Sequence, residues 1–220
     1  MKILLVSGAG IIAGTHLYNY LIKKIMGLGL FAKDSDYPEI ILHNHPFKGI
    51  NEYGELNYSI AKDELDTIVS RYPQMDAILI ACNTLHLIEM SYSGLVNLPK
   101  ITMNYFDIIK KENKKGLVLC SRFSRENNLF NNKGLQYLPD NLSHQIDEVI
   151  KENITNPKNY KKEQFSLLNE YINKGKFTHL IVGCTELSLM NWSKLVSIPI
   201  LDTGKIAIDS IVFKILKMRG

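Results

Sequence analysis

With 220 residues, 45% of them hydrophobic and 22% charged, the chain has the composition of an ordinary folded protein, which excludes disordered, collagenous and linker-like classes. Lys and Arg number 26 against 22 Asp and Glu, a mild excess with one dense run at Lys110, Lys111, Lys114 and Lys115, and this argues against nucleic acid as a partner. The apolar stretch after Met1 is too short for a signal-peptide core, and no apolar run approaches the roughly 18 residues of a membrane span. The sequence therefore reads as cytoplasmic, with no membrane partner. Cys82, Cys120 and Cys184 are odd in number and far apart, which reads as free thiols rather than a disulfide framework.

Residues 2–7 (KILLVS) predict a strand running into the glycine-rich SGAGIIAG. A helix follows over HLYNYLIKKIMGLG, where Leu17, Tyr20, Leu21 and Met26 share a stripe. Further short apolar runs at 39–43, 76–81, 116–120, 178–183 and 198–201 predict strands buried on both faces, as parallel sheets require. Helices are predicted at 59–72, 85–93, 160–174 and 205–218. The alternation places the chain in the α/β class with mostly parallel sheets.

The chain also resembles itself. DAILIACNTLHLIEM (76–90) and THLIVGCTELSLM (178–190) each read as strand, small residue, cysteine, nearby threonine and a leucine-rich helix start. Downstream, NLPKITM (97–103) matches SIPILDT (197–203); upstream, KILLVSG (2–8) matches GLVLCSR (116–122). The simplest account is two pseudo-symmetric α/β domains, 1–103 carrying Cys82 and 104–204 carrying Cys184, with the last helix, 205–220, packing back on the first.

Residues just after the strand ends of an open α/β sheet line the crevice where ligands bind. Both repeated cysteines fall there. A helix N-terminus behind each is expected to lower the thiol pKa and make it a base or nucleophile. Related by a pseudo-twofold axis, Cys82 and Cys184 approach one ligand from opposite sides. That arrangement suits a reaction in which one face of a carbon loses a proton while the other gains one.

At these residues the chain resembles the cofactor-independent aspartate/glutamate racemase family: ACNTLH (81–86) and GCTELSL (183–189) are similar to its two cysteine signatures. The opening GAGIIAGTHLY (8–18) is similar to that of the aspartate branch, with Gly8, Gly14, Thr15 and Tyr18 in register. The resemblance implies a homodimeric amino-acid racemase acting on aspartate, with glutamate or a broader range as alternatives, and needing no cofactor or metal. It implies that Cys82 and Cys184 are acid/base thiols, with a bell-shaped pH dependence. Asn83, Thr84 and Thr185 would donate to the substrate carboxylate, and His86 and Glu186 would tune the thiols. Gly8, Thr15 and Ser121 are further substrate-binding positions by the same resemblance. The family's Pro-Asp-Arg element is replaced by HNHPFKGIN (43–51), where Lys48 is expected to stand in for the arginine, and the usual Thr after the strand at 116 is replaced by Cys120 or Ser121. The other readings are a cis-trans isomerase of an unsaturated diacid such as maleate and a non-catalytic amino-acid sensor. A zinc site of Cys82, His86 and Cys184 has the wrong spacing, and Gly8-x-Gly10-x-x-x-Gly14 is one residue too long for a dinucleotide loop.

Overall fold

The computed structural model describes residues 1–51, 53–109 and 114–219. Its first half runs β1 (Lys2–Ser7), α1 (Ile11–Gly27), β2 (Glu39–Asn44), α2 (Tyr58–Ser70), β3 (Ala77–Ile80), β4 (Leu95–Val96) and α3 (Leu98–Ile109). The second half runs β5 (Gly116–Leu119), α4 (Arg122–Glu126), β6 (Leu135–Tyr137), α5 (Asp140–Thr155), α6 (Ser166–Gly175), β7 (His179–Val182), α7 (Trp192–Leu195), β8 (Ile200–Asp202) and α8 (Thr203–Arg219). The strands form two four-stranded parallel sheets of identical order, β2-β1-β3-β4 and β6-β5-β7-β8. The repeated order is the structural counterpart of the repeated sequence. In each sheet the two central strands are apolar on both faces, as in Ile3–Val6 beside Ala77–Ile80, because helices cover both sides.

Each lobe has its own core, and the two helices that follow the last strands tie the lobes together. The first turn of α3 puts Leu98 into the core of the first lobe, while Phe106 is fully buried with Val118, Ile181 and Leu201 of the second sheet. In return, α8 places Ala207, Ile208, Ile211 and Ile215 against α1 and the first sheet. The lobes are therefore joined by exchanged helices.

Some expected elements differ. The helix expected at 85–93 is a single 3₁₀ turn, Thr84–Leu87. Residues 81–86 are buried on every side, so an amphipathic helix would have no solvent for its polar face. The strands β4 and β6 and the helices α3, α4, α5 and α7 were not expected. The pairing of NLPKITM with SIPILDT is also out of register. Ile78 and Leu180 each lie four residues before their cysteine, and they pair with Leu95 and Ile200 respectively. Pro99 thus falls in the first turn of α3, where a missing N–H costs no helical bond, and Pro199 lies before β8. Lys110 and Lys111 lie outside the described residues; Lys114 and Lys115 lead into β5. Among the described residues, no helix is long and apolar enough to cross a membrane.

Candidate active site

Cys82 and Cys184 each follow the end of a central strand by two residues, on β3 and β7. The two turns that carry them clasp each other across the lobes. The Asn83 side-chain amide donates to Thr203 Oγ1 at 2.9 Å, and the Thr185 hydroxyl donates to the Ala81 carbonyl at 3.1 Å. Both cysteines line one cavity of about 160 Å³, with Gly8, Gly10, Asn83, Thr84, Ser121 and Glu186. Each thiol is less than a tenth exposed, so the cavity holds the thiols out of bulk water.

The electrostatics run opposite to the expectation from helix N-termini. The cysteines precede only 3₁₀ turns, Thr84–Leu87 and Leu187–Leu189, so little macrodipole is available. Burial, with the Glu186 carboxylate second, pushes the Cys82 thiol up to about 12, against weaker opposing bonds from the Leu85 and Thr84 backbone N–H groups. Burial and Glu186 likewise raise the Cys184 thiol well above its usual value. At rest both groups are neutral thiols.

Glu186 is the group positioned to change that. Its Oε2 accepts from Cys184 Sγ at 2.8 Å and lies 3.2 Å from Thr185 Oγ1. Burial raises its own pKa above the ordinary carboxylate value, only partly offset by the bonds it accepts. The backbone of Glu186 is anchored as well, since Asn153 of α5 donates to its carbonyl at 3.1 Å. On the other side its carboxyl rests against Gly10, where φ is +92° and a Cβ would come within 1.9 Å of Oε1. We expect Gly10→Ala to lower turnover about 10- to 100-fold by displacing that carboxyl about an ångström. Comparing kcat/KM with a thermal melt separates this loss from unfolding.

Hydrogen-bond accounting fixes what Asn83 offers. The Thr203 hydroxyl has one proton and donates it to the Val182 carbonyl at 3.1 Å, so it accepts from Asn83, and the Asn83 Nδ2 must face it. The Asn83 Oδ1 is left buried without a partner, an acceptor waiting for a donor. One of the two Asn83 amide protons is engaged by Thr203, and the other is left for a ligand; Thr185 is not among the residues lining the cavity, and its hydroxyl donates to the Ala81 carbonyl. Thr84, Ser121 and Ser124 form a triangle of hydroxyls, with 2.9 Å from Thr84 Oγ1 to Ser124 and 3.3 Å to Ser121. Their protons rotate freely, and two of these hydroxyl residues line the cavity.

Of the other expected positions, Gly8 belongs to the cavity, while Thr15, Lys48 and His86 do not line it. Gly8 lines the cavity, and with φ +121° and a Cβ position 1.7 Å from the His45 carbonyl no side chain fits there. Thr15 is exposed on α1 and its hydroxyl bonds back to the Ile11 carbonyl; it is remote because α1 buries Ala13, Gly14, Leu17, Leu21 and Ile25 instead. Lys48 is exposed and lines a neighbouring cleft with Arg122 and Glu126, not the thiol cavity. The His86 Nε2 meets the Ile80 carbonyl at 3.4 Å, its other nitrogen is unpartnered, and burial lowers its pKa to about 4. It is a neutral group under β3 with no bond to either thiol. Cys120 is buried in the second lobe's core, apart from the cavity. Among the described residues, no group of three His, Cys, Asp or Glu side chains is placed to hold a metal ion.

Phe47, Ile50, Asn51 and Gly54 after β2, and Ile150 and Ile154 on α5, line the cavity with no site role expected from the sequence, although the first three lie in the HNHPFKGIN stretch, where the expected residue was Lys48. The signal for α5 was present in Leu142, Ile146, Val149 and Ile150, a helical stripe. The segment between β2 and α2 crosses the cleft mouth. It is shaped by Asn51, whose Oδ1 accepts from the Tyr53 and Glu55 backbone, and the Tyr53 hydroxyl accepts from Lys151 of α5 at 3.0 Å.

No family model and no curated protein sequence matches the chain. Solved structures do. Picrophilus torridus aspartate racemase aligns over 97% of this chain and 93% of its own, with a TM-score of 0.68 and 17% identity. An aspartate racemase homologue from Pyrococcus horikoshii aligns over 97% and 98%, at 0.70 and 19%. Glutamate racemase from Bacillus anthracis aligns over 100% and 82%, at 0.63 and 14%. With two like-ordered parallel sheets facing a shared cleft, the chain has the two-domain α/β fold of the aspartate and glutamate racemases.

Proposed function

We propose that the protein is an amino-acid racemase that inverts the α-carbon by proton transfer between Cys82 and Cys184. The observation that carries this reading is the pair of buried thiols, at equivalent positions in the two lobes, opening onto one small cavity with a carboxyl group on one of them. Glu186 Oε2 takes the Cys184 proton. The resulting thiolate removes the α-proton, and the C–H electron pair moves into the carboxylate as an enediolate. The Cys82 S–H then delivers its proton to the opposite face. Configuration is inverted: Cys184 keeps the proton taken from the substrate, Cys82 is left as thiolate, and the proton held by Glu186 returns to Cys82 by way of solvent. The reverse sequence serves the other enantiomer.

The raised thiol pKa values fit a site that becomes reactive only when loaded. A substrate ammonium brings positive charge into the cavity and favours the thiolate, and the unpartnered Asn83 Oδ1 is an acceptor for the same group. The hydroxyls of Thr84 and Ser121 supply donors for the enediolate oxygens.

The test is proton NMR of the protein with single L-amino acids in D₂O under reducing conditions, following the α-proton signal and the appearance of the D-enantiomer on a chiral column. Racemisation with solvent deuterium at the α-carbon is the expected result; inversion without deuterium, or no inversion for any amino acid, removes the reading. Cys120→Ser is expected to keep activity within about 2-fold, since surface or core changes remote from the site act mainly on stability.

A further inference from the structure

We infer that the substrate's side chain is neutral and apolar rather than a second carboxylate; this rests on the racemase reading and narrows its substrate. Among the described residues lining the thiol cavity there is no Lys, Arg or His. Besides the thiols, its single ionisable lining group is Glu186, an acid. Whichever protonation state Glu186 takes, the cavity holds no positive charge to meet a side-chain carboxylate.

Beside the thiols, Glu186 and the hydroxyls, the lining has an apolar share from both lobes: Phe47 and Ile50 from the first, Ile150 and Ile154 from the second. Ile150 and Ile154 are four residues apart on α5 and so share a face. Ile154 is half-buried and belongs to none of the four apolar clusters formed by the described residues. A branched apolar side chain at a cavity wall, outside either core, is placed to contact a ligand.

Three cations near the mouth, Arg125, Arg122 and Lys151, meet other groups. Arg125 bonds Ser143 at 2.9 Å and faces Asp140 and Asp147; Arg122 Nε is 2.7 Å from Glu126. The Lys151 ammonium meets the Tyr53 hydroxyl and ring. Lys48 does not line the thiol cavity; it lines the outer cleft, which adjoins that cavity at Ile50 and Asn51. A dicarboxylic amino acid would bring an unpaired carboxylate into this enclosed space, and an unpaired buried charge is among the costliest things a site can accept. An amino acid with a neutral side chain brings an ammonium and a carboxylate that cancel, and its apolar end displaces water from apolar walls. The cavity is small, about 160 Å³, and valine, leucine and methionine are small aliphatic amino acids with which to probe it.

Two measurements test the inference separately from the reading beneath it. In the α-proton exchange assay on the full chain, the best of L-valine, L-leucine and L-methionine is expected to exceed L-aspartate and L-glutamate in kcat/KM by at least about 100-fold, the discrimination expected of a pocket with no group to pair a side-chain charge. Ile154→Arg, which adds a cation to the apolar wall, is expected to shift that ratio at least about 100-fold toward the acids. Faster exchange of aspartate or glutamate than of every neutral amino acid overturns the inference and leaves the racemase reading intact. The second measurement is isothermal titration of the Cys82→Ser chain with L-leucine and with L-aspartate. Tighter leucine binding is expected; if it occurs without exchange in the unaltered protein, the side-chain inference stands and the racemase reading falls. Binding of neither, with no exchange, overturns both.

Discussion

Cys82→Ser and Cys184→Ser are each expected to lower kcat/KM for racemisation at least about 10⁴-fold, the upper end of what one positioned acid/base group contributes. An aliphatic hydroxyl is far less acidic than a thiol, and this cavity raises even the thiols, Cys82 to about 12. A serine there can neither form the conjugate base nor return a proton at a useful rate. Inversion needs both faces, so losing either group stops it. Exchange without inversion needs only one face, and this sets the more discriminating outcome. With one thiol intact, the enantiomer whose α-proton faces it should still trade that proton for deuterium with retention. The two variants should therefore exchange opposite enantiomers. Serine is close to isosteric with cysteine, so melting temperatures should stay within a few degrees of the unaltered chain. Racemisation that survives in either variant at more than a few per cent would mean that a single group serves both faces.

That pairing was legible in the residues because it depends on local pattern alone: an apolar strand, a small residue and a cysteine, written twice. The six apolar runs became the strands that build the two sheets, in positions shifted by a residue or two. What escaped were elements whose signal is weak or whose partner is distant in sequence. The strand β4 has two residues and β6 has three, of which Gln136 is exposed, so neither carries a long apolar run. The helix α5 does carry a helical stripe, but Asp140, Asn141, His144, Gln145 and Glu148 make the segment polar enough to pass for a loop. Thr15 shows the reverse case, since the period of α1 already excludes it from the buried stripe. The direction of the thiol shifts was not legible at all. It depends on how completely the opposite lobe closes over each sulfur, and no spacing along the chain encodes that. The same holds for Lys48, adjacent in sequence to the cavity residue Phe47 yet placed on the outer cleft.

Glu186→Gln separates proton transfer from simple packing. The amide keeps the size of the carboxyl and can still accept from the Cys184 thiol, but it cannot take the proton. Loss of about 10³-fold in kcat/KM is expected. The pH dependence has a definite sign. Glu186 must be ionised to receive a proton, and burial raises its pKa above 4.5, so the activity of the unaltered protein should fall on the acid side through a limb placed above the ordinary carboxylate range. The glutamine variant should lack that limb. Stability should move the other way. A carboxyl whose folded pKa is raised contributes most below its unfolded pKa, and that contribution is lost as pH rises through the folded value. Above its folded pKa the ionised Glu186 is therefore a burden on the fold, and there the glutamine variant should melt at or above the temperature of the unaltered chain, the gap closing as pH falls below that value. Lower activity together with equal or higher melting temperature assigns the carboxyl to chemistry. A variant that loses activity and stability together at neutral pH would make Glu186 a packing group for the GCTE turn, and the Cys184 proton would need another acceptor.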